Sequence, residues 1–274
     1  MDAARVSFPG LLVFAVAAAT AFASAPALAQ ALQTPAKATC VPQKAAPATV
    51  KSISDGRSLV LDDGREILLA AIDAPGPWAR DALPALVGGH ALAVEPLSGA
   101  ANRYGRIPAR VFLSRDGEVR SLEAELVAKG AAMVGVSGAG GRNGADACRS
   151  ALLAAEIAAR SARLGLWSDP DYDTKAADNS AVILASRGRF AIVEGKVLSV
   201  RESGGTIYVN FGRRWSEDFT VTILKRIGAR FTAAGLEPKR LEGRRVRVRG
   251  FIEERGGPWI EATAPEQFEV AESR

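Results

Sequence analysis

The chain has 274 residues, 48% of them hydrophobic, and a formal net charge of +5. That length is enough for two small domains after a leader is set aside. Two cysteines, Cys40 and Cys148, and one histidine, His90, exclude a Cys/His metal cluster. Charge is unevenly spread. Residues 48–169 hold 14 basic and 14 acidic side chains, whereas residues 187–274 hold 17 basic against 12 acidic, so the positive excess belongs to the C-terminal region.

Leu11–Ala29 is an Ala-rich apolar run without a charge, preceded by Arg5 and ending Ala27-Leu28-Ala29. Residues 1–29 read as a signal peptide cleaved before Gln30, with an uncleaved membrane anchor as the alternative. No later stretch is long and apolar enough to span a bilayer. Export to the periplasm or the medium implies an oxidising compartment. Under that reading Cys40 and Cys148 form a disulfide; two free buried thiols are the other possibility. Residues 30–47, rich in Ala, Pro, Gln and Lys, read as a flexible arm.

Residues 48–169 form the first predicted domain. Thr49–Leu61 is expected as one strand, with Asp55-Gly56 along it, and Asp62-Asp63-Gly64 as a hairpin turn. Ile67–Ile72 is the apolar return strand, closed by Asp73-Ala74-Pro75. Trp78–Val87 has helical composition and ends at Gly88-Gly89. Strands follow at Ala91–Leu97, Ile107–Leu113 and Val119–Ser121, then a helix at Leu122–Lys129. Ser137–Gly144 is a glycine-rich loop that lacks the Lys-Ser/Thr partner of a phosphate loop. Ala145–Leu164 is the clearest helix, and Trp167 beyond it is expected to plug the barrel base. Strands first and packed helices after suit a five-stranded OB barrel.

Residues 170–187 are a linker. Residues 188–272 give strands at Ile192–Val200, Thr206–Phe211, Asp218–Leu224, Arg245–Glu253, Trp259–Ala262 and Phe268–Val270, with a helix at Lys225–Ala234. That order predicts a second, basic OB-like barrel, so the fold class is mainly β with helices.

The Asp55-to-Pro75 stretch, the Arg103-Tyr104-Gly105-Arg106 run and Leu164-Gly165-Leu166-Trp167 together resemble the staphylococcal nuclease (thermonuclease) family over residues 48–169. The resemblance implies a calcium-dependent phosphodiesterase: two aspartates and a backbone carbonyl on the ion, a glutamate positioning water, and two arginines on the phosphate. Carried over position by position, the first motif becomes Asp55-Gly56-Arg57-Ser58, so Arg57 stands where the second aspartate would be. The first arginine falls on Leu68 and the glutamate on Gly76. Asp73 and Arg106 are kept, and Ala74 replaces the threonine. Loss of a general base costs about 10²–10⁴ in rate. Loss of a preorganised charge donor costs about 10²–10³. The resemblance therefore implies a catalytically impaired member, with no cofactor needed and calcium at Asp73 only if hydrolysis survives. Glu66 and Asp62 lie in or beside the turn, at the wrong end of the strand to replace the missing acids. Two readings of Arg57 stand open: a metal-free phosphate cleft with Arg106, or a structural ion pair with Asp73 or Asp55.

In the second domain Tyr208, Arg213, Arg214, Arg247 and Trp259, with Trp215 and the alternating Arg245 and Arg249, could form a basic, aromatic surface for single-stranded DNA or RNA. Equally, the arginines could be a solvated strand face, and Trp215 and Trp259 core residues. Three functions follow: nucleic-acid binding without hydrolysis, an active nuclease with another carboxylate set, or an envelope module with a protein partner.

Overall fold

The chain first reverses at Gly56-Arg57. Ala46–Ala48 (β1) leads into Val50–Asp55 (β2), which pairs antiparallel with Ser58–Leu61 (β3), Asp55 lying opposite Ser58. Thr49–Leu61 is therefore a hairpin and not the single strand its composition suggested. The cause is local: the Asp55 carboxylate accepts from the Arg57 backbone N–H at 2.7 Å, which closes a tight turn. The structure is a computed structural model and describes residues 1, 40–115, 117–136, 145–214 and 216–270, without the side chains of 145–147. The expected signal peptide, most of the arm, the 137–144 loop and Trp215 lie outside these residues.

Past the Asp62-Asp63-Gly64 turn, where Gly64 takes φ +84° as that hairpin requires, Glu66–Leu69 (β4) pairs with β3. Ile72–Asp73 (β5), helix Trp78–Val87 (α1), Ala91–Pro96 (β6), Arg106–Arg115 (β7) and Glu118–Ser121 (β8) follow. Helix Leu122–Ala128 (α2) starts where the Ser121 hydroxyl accepts from Ala124 N–H. Met133–Val134 (β9) pairs with β5, and Ala145–Ser161 (α3) ends this half. The sheet order is β1-β6-β7-β4-β3-β2, with β8 on β7 and β4 parallel to β7. The sheet curls into a half-barrel, consistent with an OB-like fold. Its core is Leu59, Ile67, Ile72, Val111 and Leu122, all at 0% exposure, under α1 and α2.

The second half comprises Lys175–Ala176 (β10), Ser180–Leu184 (α4), Phe190–Lys196 (β11), Ser199–Ser203 (β12), Thr206–Asn210 (β13), Thr220–Leu224 (β14), Lys225–Ala233 (α5), Arg245–Phe251 (β15), Glu253–Arg255 (β16), Gly257–Ala262 (β17) and Phe268–Val270 (β18). The expected strand Ile192–Val200 is two strands, β11 and β12. The chain breaks at Val197-Leu198, where Val197 N–H turns to Arg244 and Leu198 N–H to Asn210. One sheet runs β10-β11-β15-β18 and another β12-β13-β14-β17-β16, enclosing Val193, Val209, Ile223, Phe231 and Val248.

Residues 37–274 cluster as one compact unit. Trp167, expected to plug the first barrel, instead packs with Met133, Ala159, Phe190 and Ile192 where the two halves meet. Arg249, expected on a solvated strand face with Arg245 and Arg247, is 1% exposed. Val246 and Val248 fill the core of their own half, so the alternation turns Arg249 outward, and there α3 covers it. Its guanidinium grips the Glu156 carboxylate with two bonds of 3.0 Å, donates to the Val134 carbonyl at 2.7 Å, and also reaches Glu269. Cys40 and Cys148 are joined by a disulfide across a separation of 108 residues.

Candidate functional site

One turn, two strand ends and the first turn of α1 converge on a cleft of about 500 Å³, lined by Asp55, Arg57, Asp73, Arg80 and Arg106 with Gly56, Ala74, Gly76 and Pro77. The β2–β3 turn supplies Asp55 and Arg57, the end of β5 supplies Asp73, and the start of β7 supplies Arg106. Gly56 lets this turn lie against α1: a Cβ there would come within 3.3 Å of Ala79 Cβ and 3.4 Å of Arg80 N. That close approach carries Arg80, in the first turn of α1, to the cleft.

Arg57 donates to the Ile72 carbonyl at 2.8 Å and lies 3.5 Å from the Asp73 carboxylate. Arg106 donates to Asp55 at 3.0 Å and to the Ser58 hydroxyl at 3.0 Å, with Glu66 3.6 Å from its Nε. The ion-pair reading of Arg57 thus matches the geometry at Asp73. Burial pushes the Asp73 carboxyl above its ordinary pKa, against the pull of Arg57. Arg80 is exposed and has no ion pair or hydrogen bond among the described residues. Three guanidiniums face two carboxylates.

Leu68 is 8% exposed, sits opposite Ser58 in the β3–β4 register, and does not line the cleft. Gly76 lines it but adopts φ +71°, and a Cβ there would meet the Trp78 ring at 2.4 Å. A glutamate therefore cannot return at position 76 without moving Trp78. Glu66, expected at the wrong end of its strand, stands beside Arg106 because β4 and β7 run parallel with the two residues in register. Asp62 does lie elsewhere, in a larger, mainly apolar groove of about 830 Å³ beside β2, lined by Lys51 and by none of the three cleft arginines.

A calcium ion does not fit these residues. Both Asp55 oxygens already accept, one from Arg57 N–H and one from Arg106, and the Arg57 guanidinium covers the Ile72 carbonyl next to Asp73. Among the described residues no group of three or more His, Cys, Asp or Glu side chains is arranged to hold a metal.

The aromatic and basic residues expected to form one surface on the second half do not gather in one place. Arg213 and Arg214 are exposed between β13 and β14, and Arg214 pairs with Glu217 at 2.9 Å. Arg247 lies at the meeting of the two halves and holds Glu194 at 2.5 Å. Trp259 is 8% exposed, edge-on to Tyr208 at 6.1 Å, with the Arg255 guanidinium 5.1 Å from its ring centroid. Tyr208 from β13 and Arg255 from β16 pack on the Trp259 ring and leave it almost without exposure, so it is a packing residue and not a free stacking platform. Arg80 was missed in the sequence because it reads as one more helix former. The only signal for it was a glycine at position 56 that allowed a helix to approach.

Residues 66–169 match the family model described as staphylococcal nuclease homologue. No curated protein matches the chain.

Proposed function

We propose, from the staphylococcal nuclease homologue domain at residues 66–169, that this protein is a nuclease-family member that binds nucleic-acid phosphate without cleaving it. One observation supports the reading above the rest: Arg57, Arg80 and Arg106 converge on a single cleft, with Arg57 facing Asp73 and Arg106 facing Asp55. Arg57 and Arg106 are anchored by aspartates, which fixes their planes. Arg80 keeps its full set of donors for an incoming phosphate oxygen. Arg106 Nη1 donates to both Asp55 and Ser58, which preorganises its charge and leaves Nη2 for a phosphate oxygen. Tyr104, 64% exposed and two residues before Arg106, has Arg103 over one ring face and the other open to a base.

Export to an oxidising compartment belongs to the same proposal. The Cys40–Cys148 disulfide supports it, since such bonds persist outside the cytosol. The second half supports a further barrel: β14 and β17 pair in parallel within β12-β13-β14-β17-β16, and β11 pairs with β15, an order suited to an OB-like closure.

The test is fluorescence anisotropy with labelled single-stranded DNA and RNA over a range of salt. Affinity should fall steeply with salt, and Arg80→Ala should lower the slope by about 0.7 for one lost phosphate contact. Salt-indifferent affinity would remove the proposal. So would calcium-dependent cleavage of the same oligonucleotides that disappears in Asp73→Ala.

A further inference from the structure

Where the halves meet, a second cleft of about 410 Å³ is bounded by Arg160 and Trp167 from the first half and by Asp173, Thr174, Glu194 and Arg247. It shares no residue with the Asp55–Arg106 cleft. Arg160 is half-buried, donates to the Thr174 hydroxyl at 3.3 Å, and lies over the Trp167 ring at 5.7 Å. Among the described residues no carboxylate reaches ion-pair distance from it. Burial holds its pKa below the usual arginine range; Glu156 and Glu269 pull it back up, while the neighbouring Arg247 and Arg249 charges add to the fall.

The two acids on the rim do not fill that need. Glu194 is gripped by Arg245 at 2.8 Å and Arg247 at 2.5 Å, and Asp173 faces Arg163 at 3.5 Å. Arg247 spends only its Nε on Glu194. Among the described residues its two terminal nitrogens have no acceptor, so they remain available as donors. Trp167 forms one wall of the cleft and is 2% exposed, with its indole nitrogen enclosed by the protein.

We propose that this cleft is an oxyanion site of the phosphate type, with Arg160 and Arg247 as the charged clamps, the Thr174 hydroxyl as a neutral donor and the Trp167 ring as a wall beside them. The donors come from α3, from the connector and from β15. They therefore do not share a plane. A tetrahedral anion can accept from all of them, whereas a planar carboxylate matches a single fork. Because two of the walls belong to different halves of the chain, an anion held here also bridges them.

The experiment is an NMR titration of the full chain with inorganic phosphate, following the Trp167 indole N–H signal, identified by its loss in Trp167→Phe. Sodium chloride at matched ionic strength and sodium acetate are the comparison arms. The expected result is a saturable shift with phosphate that acetate and chloride do not reproduce. Arg160→Gln should weaken it by about tenfold or more, the measure of a lost charged hydrogen bond. Arg80→Ala, in the other cleft, should leave it unchanged, so this site and the proposed nucleic-acid cleft stand or fall separately. Arg247→Gln is the second variant should Arg160→Gln fail to fold. The proposal is overturned by an unsaturable or absent shift, by an equal shift with acetate or chloride, or by a folded Arg160→Gln or Arg247→Gln protein of unaltered phosphate affinity.

Discussion

Replacing Arg249 with methionine keeps most of the side-chain length and volume while deleting the charge, so the loss reads the ion pair and not a cavity. In the variant the Glu156 carboxylate, 0% exposed, would keep only the Val134 N–H at 2.6 Å. Breaking a buried pair by removing one partner costs about 3–5 kcal/mol, because the remaining charge is stranded in a low-dielectric interior. Against a usual domain stability of about 5–15 kcal/mol, that is a large fraction. Arg249→Met with Glu156→Leu removes the stranded charge as well and should recover about 0.5–3 kcal/mol of the summed single losses. The control is Arg187→Met, which breaks an exposed pair with Glu254 and should cost about 0–1 kcal/mol. Urea unfolding with the disulfide intact, followed by far-UV circular dichroism and tryptophan fluorescence, measures all three. Since the clamp spans both halves, the wild-type probes should coincide and the Arg249→Met probes should separate. A cost for Arg249→Met no larger than that for Arg187→Met would show that the clamp does not hold the halves together.

Three other outcomes can be checked. Glu123 is buried between the Val111 N–H at 2.9 Å and the Ser121 hydroxyl at 2.7 Å, and burial raises its pKa from 4.5 to about 7. The folded chain then holds this proton more tightly than the unfolded one. Its contribution is full below pH 4.5 and is lost as pH rises to about 7, on the order of 3 kcal/mol; Glu123→Gln should flatten that part of the pH–stability curve. Gly165 has φ +54°, and an added Cβ would lie 2.3 Å from the Gly130 carbonyl oxygen. Gly165→Ala should therefore cost about 1–3 kcal/mol or more in thermal unfolding; a neutral result would contradict the close approach. Reducing the Cys40–Cys148 bridge frees a loop of 108 residues and should lower stability by about 4–5 kcal/mol on the chain-entropy account, read as a drop in melting temperature with reductant.

The sequence by itself determined the local pieces. Gly64 after two aspartates specifies its hairpin, Ser121 specifies the start of α2, and the β-branched alternation of Thr206–Asn210 specifies a half-buried strand. These depend on neighbours within a few residues, and so they are written in the chain. The exchange of an acidic motif position for Arg57 was legible too, since it is a matter of identity at one position. Tertiary structure alone decided the rest. Whether Arg57 faces Asp73, whether Arg80 reaches the same cleft, and whether Glu66 stands beside Arg106 depend on a parallel β4–β7 register and on a helix lying against Gly56. Arg249 is the clearest instance: alternation correctly turned it away from its own core, but a strand carries no sign of what will cover its outer face. Here the cover is a helix from 93 residues earlier in the chain, and only the folded arrangement turns an expected surface arginine into the buried tie between the two halves.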